Sequence, residues 1–322
     1  MGIAKKEKKN GVTVYYMEKD IDDAKMETDI ANSFLKRSHI PVIINDDADV
    51  YSFPENELLA RFRKGVLPDS HIDAFYDNVI DFAKLTTSNR GSATGSKSKN
   101  LGDNPKVMSN ILGYFDQWTA SHKRMFKDHN MKIPLAVREC RFNRDHPEKF
   151  KEIQPLVQDV DRLYQKLIPD KYVKQCKKAK QTYFRIPHTA FTTVTTNINY
   201  QTTVHTDKGD DVEGFGNLAV LEKGKYAGGE TCFPQYGIGF NVRSGDILFM
   251  DVHKWHANLP IELIEKDAIR LSIVCYLRKN VWERTKNKPK SFMETHNASV
   301  RKMNLKPKGK SRKNVTRKKG WQ

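Results

Sequence analysis

No stretch of eighteen apolar residues occurs anywhere in this 322-residue chain, so no helix of it is expected to cross a bilayer. The opening MGIAKKEKKNG is basic, but no apolar segment follows it, and no secretory leader is expected. Cysteine is scarce. Cys140, Cys176, Cys232 and Cys275 are far apart, none at CxxC spacing. That argues against a structural zinc site and for reduced, buried thiols in a cell interior. Acid is missing from the end of the chain. The last 22 residues, RKMNLKPKGKSRKNVTRKKGWQ, hold ten Lys or Arg and no Asp or Glu.

That last absence shapes the charge. The formal net charge is +17, and the 45 residues from Arg278 onward carry sixteen basic residues against Glu283 and Glu294. A segment of this kind repels itself and cannot bury a core, so residues 281–322 are expected to be a disordered tail. Its natural partner is a polyanion, because Lys and Arg displace counterions condensed on phosphates.

Residues 1–85 read as a mixed N-terminal region, with one or two short strands expected in its first fifty or so residues, such as Val42-Ile43-Ile44. Ile72, Phe75, Tyr76, Val79, Phe82 and Ala83 recur at helical spacing, with Asp69 or Ser70 as candidate N-cap. The stretch from Thr86 to Pro105 is rich in Gly, Ser, Asn and Lys and reads as a loop. A second helix is marked by Phe150, Ile153, Val157, Val160, Tyr164 and Leu167, with Pro147 near its start. A third is expected from Asp170 to about Lys180. After Gln181 short β-rich runs alternate with Gly turns, which predicts a sandwich or barrel with the helices outside one sheet. The expected division is 1–85, then 86–280 with its β core mainly in 181–280, then the tail.

The chemistry is concentrated in the β-rich part. His205 and Asp207 in NINYQTTVHTDKGD are two apart, so on a strand they share a face. In SGDILFMDVHKWHANLPIE a Gly-Asp turn feeds an apolar strand, followed by His253 and His256. His256 is the preferred third ligand, because the residues after it restart a strand. Two imidazoles and a carboxylate form the facial triad of non-haem Fe(II) sites, which leaves positions open for oxygen and a keto acid. Arg270 opens the strand RLSIVCYLR, where a guanidinium suits the distal carboxylate of 2-oxoglutarate. Asn197, Asn199 and Thr203 line a cavity if they share the His205 face and otherwise meet solvent.

With these motifs the chain resembles the TET/JBP family of nucleic-acid base dioxygenases. The resemblance runs roughly from Thr86 to Arg278. It is strongest in FTTVTTNINYQTTVHTDKGD, in NLAVLEKGKYAGGETCFPQYGIGFNVRSGDILFMDVHKWHANLPI and in RLSIVCYLR. It implies an α+β fold with a double-stranded β-helix (jelly-roll) core and flanking helices. It also implies Fe(II), with 2-oxoglutarate and O2 as co-substrates. The implied reaction is oxidation of the 5-methyl group of 5-methylcytosine or thymine in DNA. Carried over residue by residue, the resemblance makes Asp210 a polar reader of the base and Tyr276 an aromatic that stacks on it. Arg278 stands where several 5-methylcytosine-oxidising members have His, which leaves the base open. Arg90-Gly91 and Gly95 fall where the family has a basic, Gly-rich element. The base would be flipped out or single-stranded. A monomer acting inside a cell, in cytoplasm or nucleus, is expected, whether a cell, a virus or a phage encodes it. Two other readings compete: a prolyl-hydroxylase-like oxygenase acting on protein or a small molecule, and a non-catalytic DNA-binding jelly roll.

Overall fold

In the run Ile269–Tyr276 every second residue is apolar, with Leu271, Ile273 and Cys275 fully buried, and those between are mostly polar. Such period-2 alternation belongs to a strand with two different faces. A computed structural model of the protein shows what those faces meet. It describes residues 2–85, 107–117, 120–128, 130, 137–292 and 294.

Among the described residues sixteen strands follow in chain order. The first seven are β1 (Ile3–Lys9), β2 (Val12–Glu18), β3 (Val42–Ile44), β4 (Ala48–Phe53), β5 (Leu58–Arg63), β6 (Met108–Phe115) and β7 (Arg138–Glu139). Then come β8 (Thr193–Ile198), β9 (Gly216–Lys223), β10 (Tyr226–Gly228), β11 (Thr231–Phe233) and β12 (Ile238–Phe240). The last are β13 (Ile247–Met250), β14 (Ala257–Asn258), β15 (Ile261–Leu263) and β16 (Ile269–Tyr276). A ten-stranded sheet has the order β1-β2-β4-β5-β13-β9-β16-β8-β6-β7. A four-stranded sheet, β14-β11-β12-β3, faces it, and β10 pairs with β15. The two larger sheets make the double-stranded β-helix of an α+β fold.

Helices cover one face of the large sheet. Phe75 and Val79 from the helix Asp69–Ala83 and Leu156, Val160 and Tyr164 from the helix Gln154–Leu167 pack on Ala219, Phe249, Leu271, Ile273 and Cys275. The Tyr164 ring stacks on Phe249 at 5.7 Å and on Phe191 at 6.2 Å between centroids. Truncating a buried side chain such as Leu156 to Ala in this layer costs about 2–5 kcal/mol. The opposite face of β16 turns towards the small sheet, and the cavity lies there.

Several elements differ from expectation. Residues 2–53 carry four strands rather than one or two, and β5 follows them. Here β5 pairs antiparallel with β13, and β3 runs parallel to β12. These pairings are long-range, and β1 is mostly lysine, so no local pattern announces them. The first helix is capped by Pro68, without a side-chain cap from Asp69 or Ser70. The second expected helix is two, Pro147–Glu152 and Gln154–Leu167, broken at Ile153. Pro155 causes the break, since its ring collides with the carbonyl four residues back and it has no N–H to donate. The tail expected from residue 281 instead begins inside a helix, Lys279–Thr285, with Val281 and Thr285 buried. Residues 295–322 and the loop with Arg90, Gly91 and Gly95 lie outside the described residues. Among the described residues no helix is long and apolar enough to cross a membrane.

Candidate metal centre and cavity

Beyond β8 the chain leaves the large sheet through Asn199, which has φ +44°. Its side chain anchors the exit, accepting from the Arg270 N–H at 2.7 Å and donating to the Ala268 carbonyl at 2.8 Å. The chain then runs beside the segment that follows β13. His205 and His256 form an antiparallel bridge with N–H to carbonyl bonds of 3.0 and 2.9 Å. Two residues on, the Asp207 N–H donates to the Val252 carbonyl at 2.9 Å. These main-chain bonds bring together three side chains that are up to 51 positions apart in the sequence.

The ligand atoms of His205, Asp207 and His256 all lie within 4.8 Å of one another. Each imidazole Nε2 stands 3.7 Å from an Asp207 carboxylate oxygen, too far for a hydrogen bond. The other ring nitrogens are committed. Nδ1 of His205 donates to the Thr203 carbonyl at 2.6 Å, and Nδ1 of His256 to the Lys254 carbonyl at 2.9 Å. A carbonyl only accepts, so the proton sits on Nδ1 and the Nε2 lone pair faces the centre. Burial, reinforced by the neighbouring His205, pushes the His256 pKa down to about 4, so the ring is neutral at pH 7. Three donors directed at a common point, the neutral His256 imidazole among them, fit a divalent transition metal, and the donor set is that of Fe(II) oxygenases.

Arg270 is 4% exposed, and burial works against its charge. Its Nε is buried with no hydrogen-bond partner, and no carboxylate among the described residues pairs with it. A buried cation in that state costs several kcal/mol, which a bound carboxylate offsets. Room for the guanidinium comes from Gly229, at φ +78°, where a Cβ would stand 2.8 Å from Nε. The donor set beside an unpaired guanidinium therefore fits both a metal and an anionic co-substrate.

The cavity between the sheets measures about 170 Å³. One wall is β16 and its extension: Arg270, Ser272, Val274, Tyr276 and Arg278. The triad, Thr195, Asn197 and Asp210 also line it. Tyr276 is linked to Thr195 by a 3.1 Å hydroxyl–hydroxyl bond. Arg278 pairs with Asp210 along the backbone, and its guanidinium is 3.9 Å from the Asp210 carboxylate. All seven expected site residues therefore border one space. His253 does not; its Nε2 meets the Asp211 carbonyl at 3.1 Å. Asn199 and Thr203 support the site from outside it, whereas Asn197 borders it.

Sequence reasoning missed Phe115 and Asp116. Phe115 lines the cavity, with the Arg278 guanidinium 4.7 Å over its ring. Asp116 accepts from Arg278 Nε at 2.9 Å and from Asn280 at 2.7 Å. Only the juxtaposition of β6 with the end of β16 gives them a role, and nothing in their local sequence signals it.

Residues 108–279 match the family model Tet_JBP, described as the oxygenase domain of the 2OGFeDO superfamily. The chain belongs to this family. As a Tet_JBP oxygenase domain it takes Fe(II) and 2-oxoglutarate with O2. Among its relatives is thymine dioxygenase JBP1 of Trypanosoma brucei brucei, 32% identical over 208 residues, which are 64% of this chain and 22% of that protein. Thymine dioxygenase JBP1 of Crithidia fasciculata is 27% identical over 266 residues, 82% of this chain and 29% of its own length. The Tet_JBP chain thus spans about a quarter of these curated relatives. The fold is shared with NgTET1 in complex with 5mC DNA, at a TM-score of 0.51 and 10% identity, over 90% of this chain and 91% of that one.

Proposed function

We propose that this Tet_JBP domain oxidises the 5-methyl group of a pyrimidine base in DNA, thymine or 5-methylcytosine, to the hydroxymethyl form. His205, Asp207 and His256 would hold Fe(II), and Arg270 would hold the distal carboxylate of 2-oxoglutarate. The reading is carried by three metal donors and an unpaired buried guanidinium bordering one cavity. Fe(II) held there, with 2-oxoglutarate and O2, would supply the oxidising power for hydroxylation of the methyl group, 2-oxoglutarate being converted to succinate and CO2.

The chain's own groups do the holding and aiming. Arg270 fixes the co-substrate by a two-pronged ion pair. Tyr276 offers a ring for the base, a contact typically contributing about 1–3 kcal/mol. Asp210 accepts from a ring or amino N–H of the base, and Arg278 donates to a ring nitrogen or carbonyl. Thymine would meet that pair through its N3–H and a carbonyl, 5-methylcytosine through its amino N–H and unprotonated N3, so the pair engages the two bases through different atoms. The relatives named thymine dioxygenases favour thymine. A methyl group inside a duplex cannot reach a metal between two sheets, so the base is flipped out or presented on a single strand. The chain would act as a monomer. A DNA substrate and four free buried cysteines support an intracellular site of action.

A hydroxylase of protein or small molecules would use the same triad and Arg270 but leaves Asp210, Tyr276 and the basic C-terminal segment without a role. A non-catalytic DNA-binding jelly roll would have no need of three intact donors. The test is anaerobic Fe(II) loading followed by 2-oxoglutarate, O2 and DNA containing both bases, scored by nucleoside mass spectrometry. A hydroxymethyl base is expected, and His205→Ala or Asp207→Ala should abolish it. Full product from either variant would rule the reading out.

A further inference from the structure

Three guanidinium groups gather on the segment Phe115-Asp116-Gln117, at the Arg278 end of the cavity. Arg278 binds the Asp116 carboxylate. Arg284 donates to the Asp116 carbonyl at 2.9 Å. Arg138 stands directly opposite Phe115 in the β6–β7 pair and donates from Nε to the Gln117 carbonyl. It also lies 5.7 Å over the Phe115 ring, which therefore meets two guanidinium groups, Arg138 and Arg278.

The charges do not balance. The carbonyls that Arg138 and Arg284 bind are neutral, and among the described residues neither arginine reaches a carboxylate. Glu139 follows Arg138 on a strand and so projects from the opposite face. A guanidinium has five N–H donors, so each arginine keeps several beyond the one named. Both side chains are partly exposed.

We propose that Arg138 and Arg284 clamp backbone phosphates of the DNA strand whose base occupies the cavity. This rests on the reading of a DNA base as substrate. A base held between Tyr276, Asp210 and Arg278 has its sugar and phosphates at that same end. The planar fork of Arg matches phosphate oxygens, and the Phe115 ring holds the Arg138 fork in place. Contacts of this kind set register on a strand without reading sequence.

The test uses the full chain and a fluorescent oligonucleotide with one 5-methylpyrimidine, read by anisotropy over a salt series without 2-oxoglutarate. The double variant Arg138→Gln/Arg284→Gln is expected to bind on the order of tenfold more weakly at 0.15 M salt. The slope of log K against log salt should become shallower by about 1.4 to 1.8, the value for two phosphates. Arg138→Lys/Arg284→Lys keeps the charge and should recover most of that slope. An unchanged slope in the Gln variant overturns the clamp. A second arm needs no variant: uncharged methylphosphonate linkages are placed beside the target base or far from it. Wild type should lose affinity mainly for the flanking positions, and a loss indifferent to position overturns the clamp. The two readings fail separately. No oxidised base together with a shallower slope in the Gln variant sinks the substrate reading and leaves the phosphate contact standing. Oxidised base with an unchanged slope sinks the clamp alone.

Discussion

His205 and His256 exchange both of their backbone hydrogen bonds, at 3.0 and 2.9 Å, and their rings face each other with centroids 4.4 Å apart. The candidate metal centre is thus part of the main-chain ladder, with its donors in place before any ion arrives. Anaerobic Fe(II), or Co(II) in its place, is expected to stabilise the folded chain by mass action. At a hundredfold excess over Kd this amounts to about 2.7 kcal/mol, or roughly 5–10 °C in Tm. Asp207→Ala should remove the rise, as measured by differential scanning calorimetry with and without metal. An undiminished rise in that variant would place the ion elsewhere.

The same bridge sets a pH dependence in the metal-free chain. Burial lowers the His256 pKa to about 4, below its ordinary value near 6.5. The unfolded chain then binds the proton more readily than the folded one. The neutral ring's contribution to stability is fully present above about pH 6.5 and is lost as pH falls towards 4. Urea midpoints at pH 7, 5.5 and 4.5 should fall more steeply for wild type than for His256→Gln. Parallel curves for the two proteins would contradict this.

Arg270 is buried with its Nε unsatisfied, and burial outweighs the favourable field of Tyr226, Glu222 and Glu230. Arg270→Met replaces it with an apolar chain of similar length. Without 2-oxoglutarate the variant should melt higher than wild type, since an apolar chain avoids the cost of burying a cation whose Nε has no partner. Its affinity for 2-oxoglutarate should fall by two orders of magnitude or more, corresponding to about 3–5 kcal/mol for a broken buried pair. Calorimetric titration and thermal melts check both halves. A lower Tm with unchanged affinity would remove Arg270 from the co-substrate site.

Much of this site was readable in advance because it obeys local rules. His205 and Asp207 share a face through the two-residue period of extended chain, and Arg270 to Arg278 alternate along one cavity wall for the same reason. His256, preferred over His253 because a strand restarts after it, is the one of the two that borders the cavity. Other features depend on partners far along the chain. Asp116 meets Arg278 across 162 positions, and neither residue's neighbours hint at the other. Strand β1 reads as a charged segment because it ends its sheet among the described residues and its lysines face solvent. Pro155 was overridden by an apolar period that continues through the break it makes.

The Asp116–Arg278 pair yields the last expectation. Asp116 is 6% exposed and holds Arg278 Nε at 2.9 Å, while Phe115 covers the guanidinium face. The flat end of Arg278 is therefore aimed by a carboxylate that does not itself line the cavity. Asn at position 116 keeps the shape but gives up the ionic bond, so the guanidinium gains freedom. Asp116→Asn should raise KM for the oligonucleotide several-fold and bring the kcat/KM ratio of thymine to 5-methylcytosine closer to one, because a mobile donor discriminates less. The KM for 2-oxoglutarate, set at the Arg270 end of the wall, should move far less. Competition assays with both bases in one duplex read the ratio directly. If Asp116→Asn left the ratio and the oligonucleotide KM as in wild type, Arg278 would be a structural cation rather than a reader of the base.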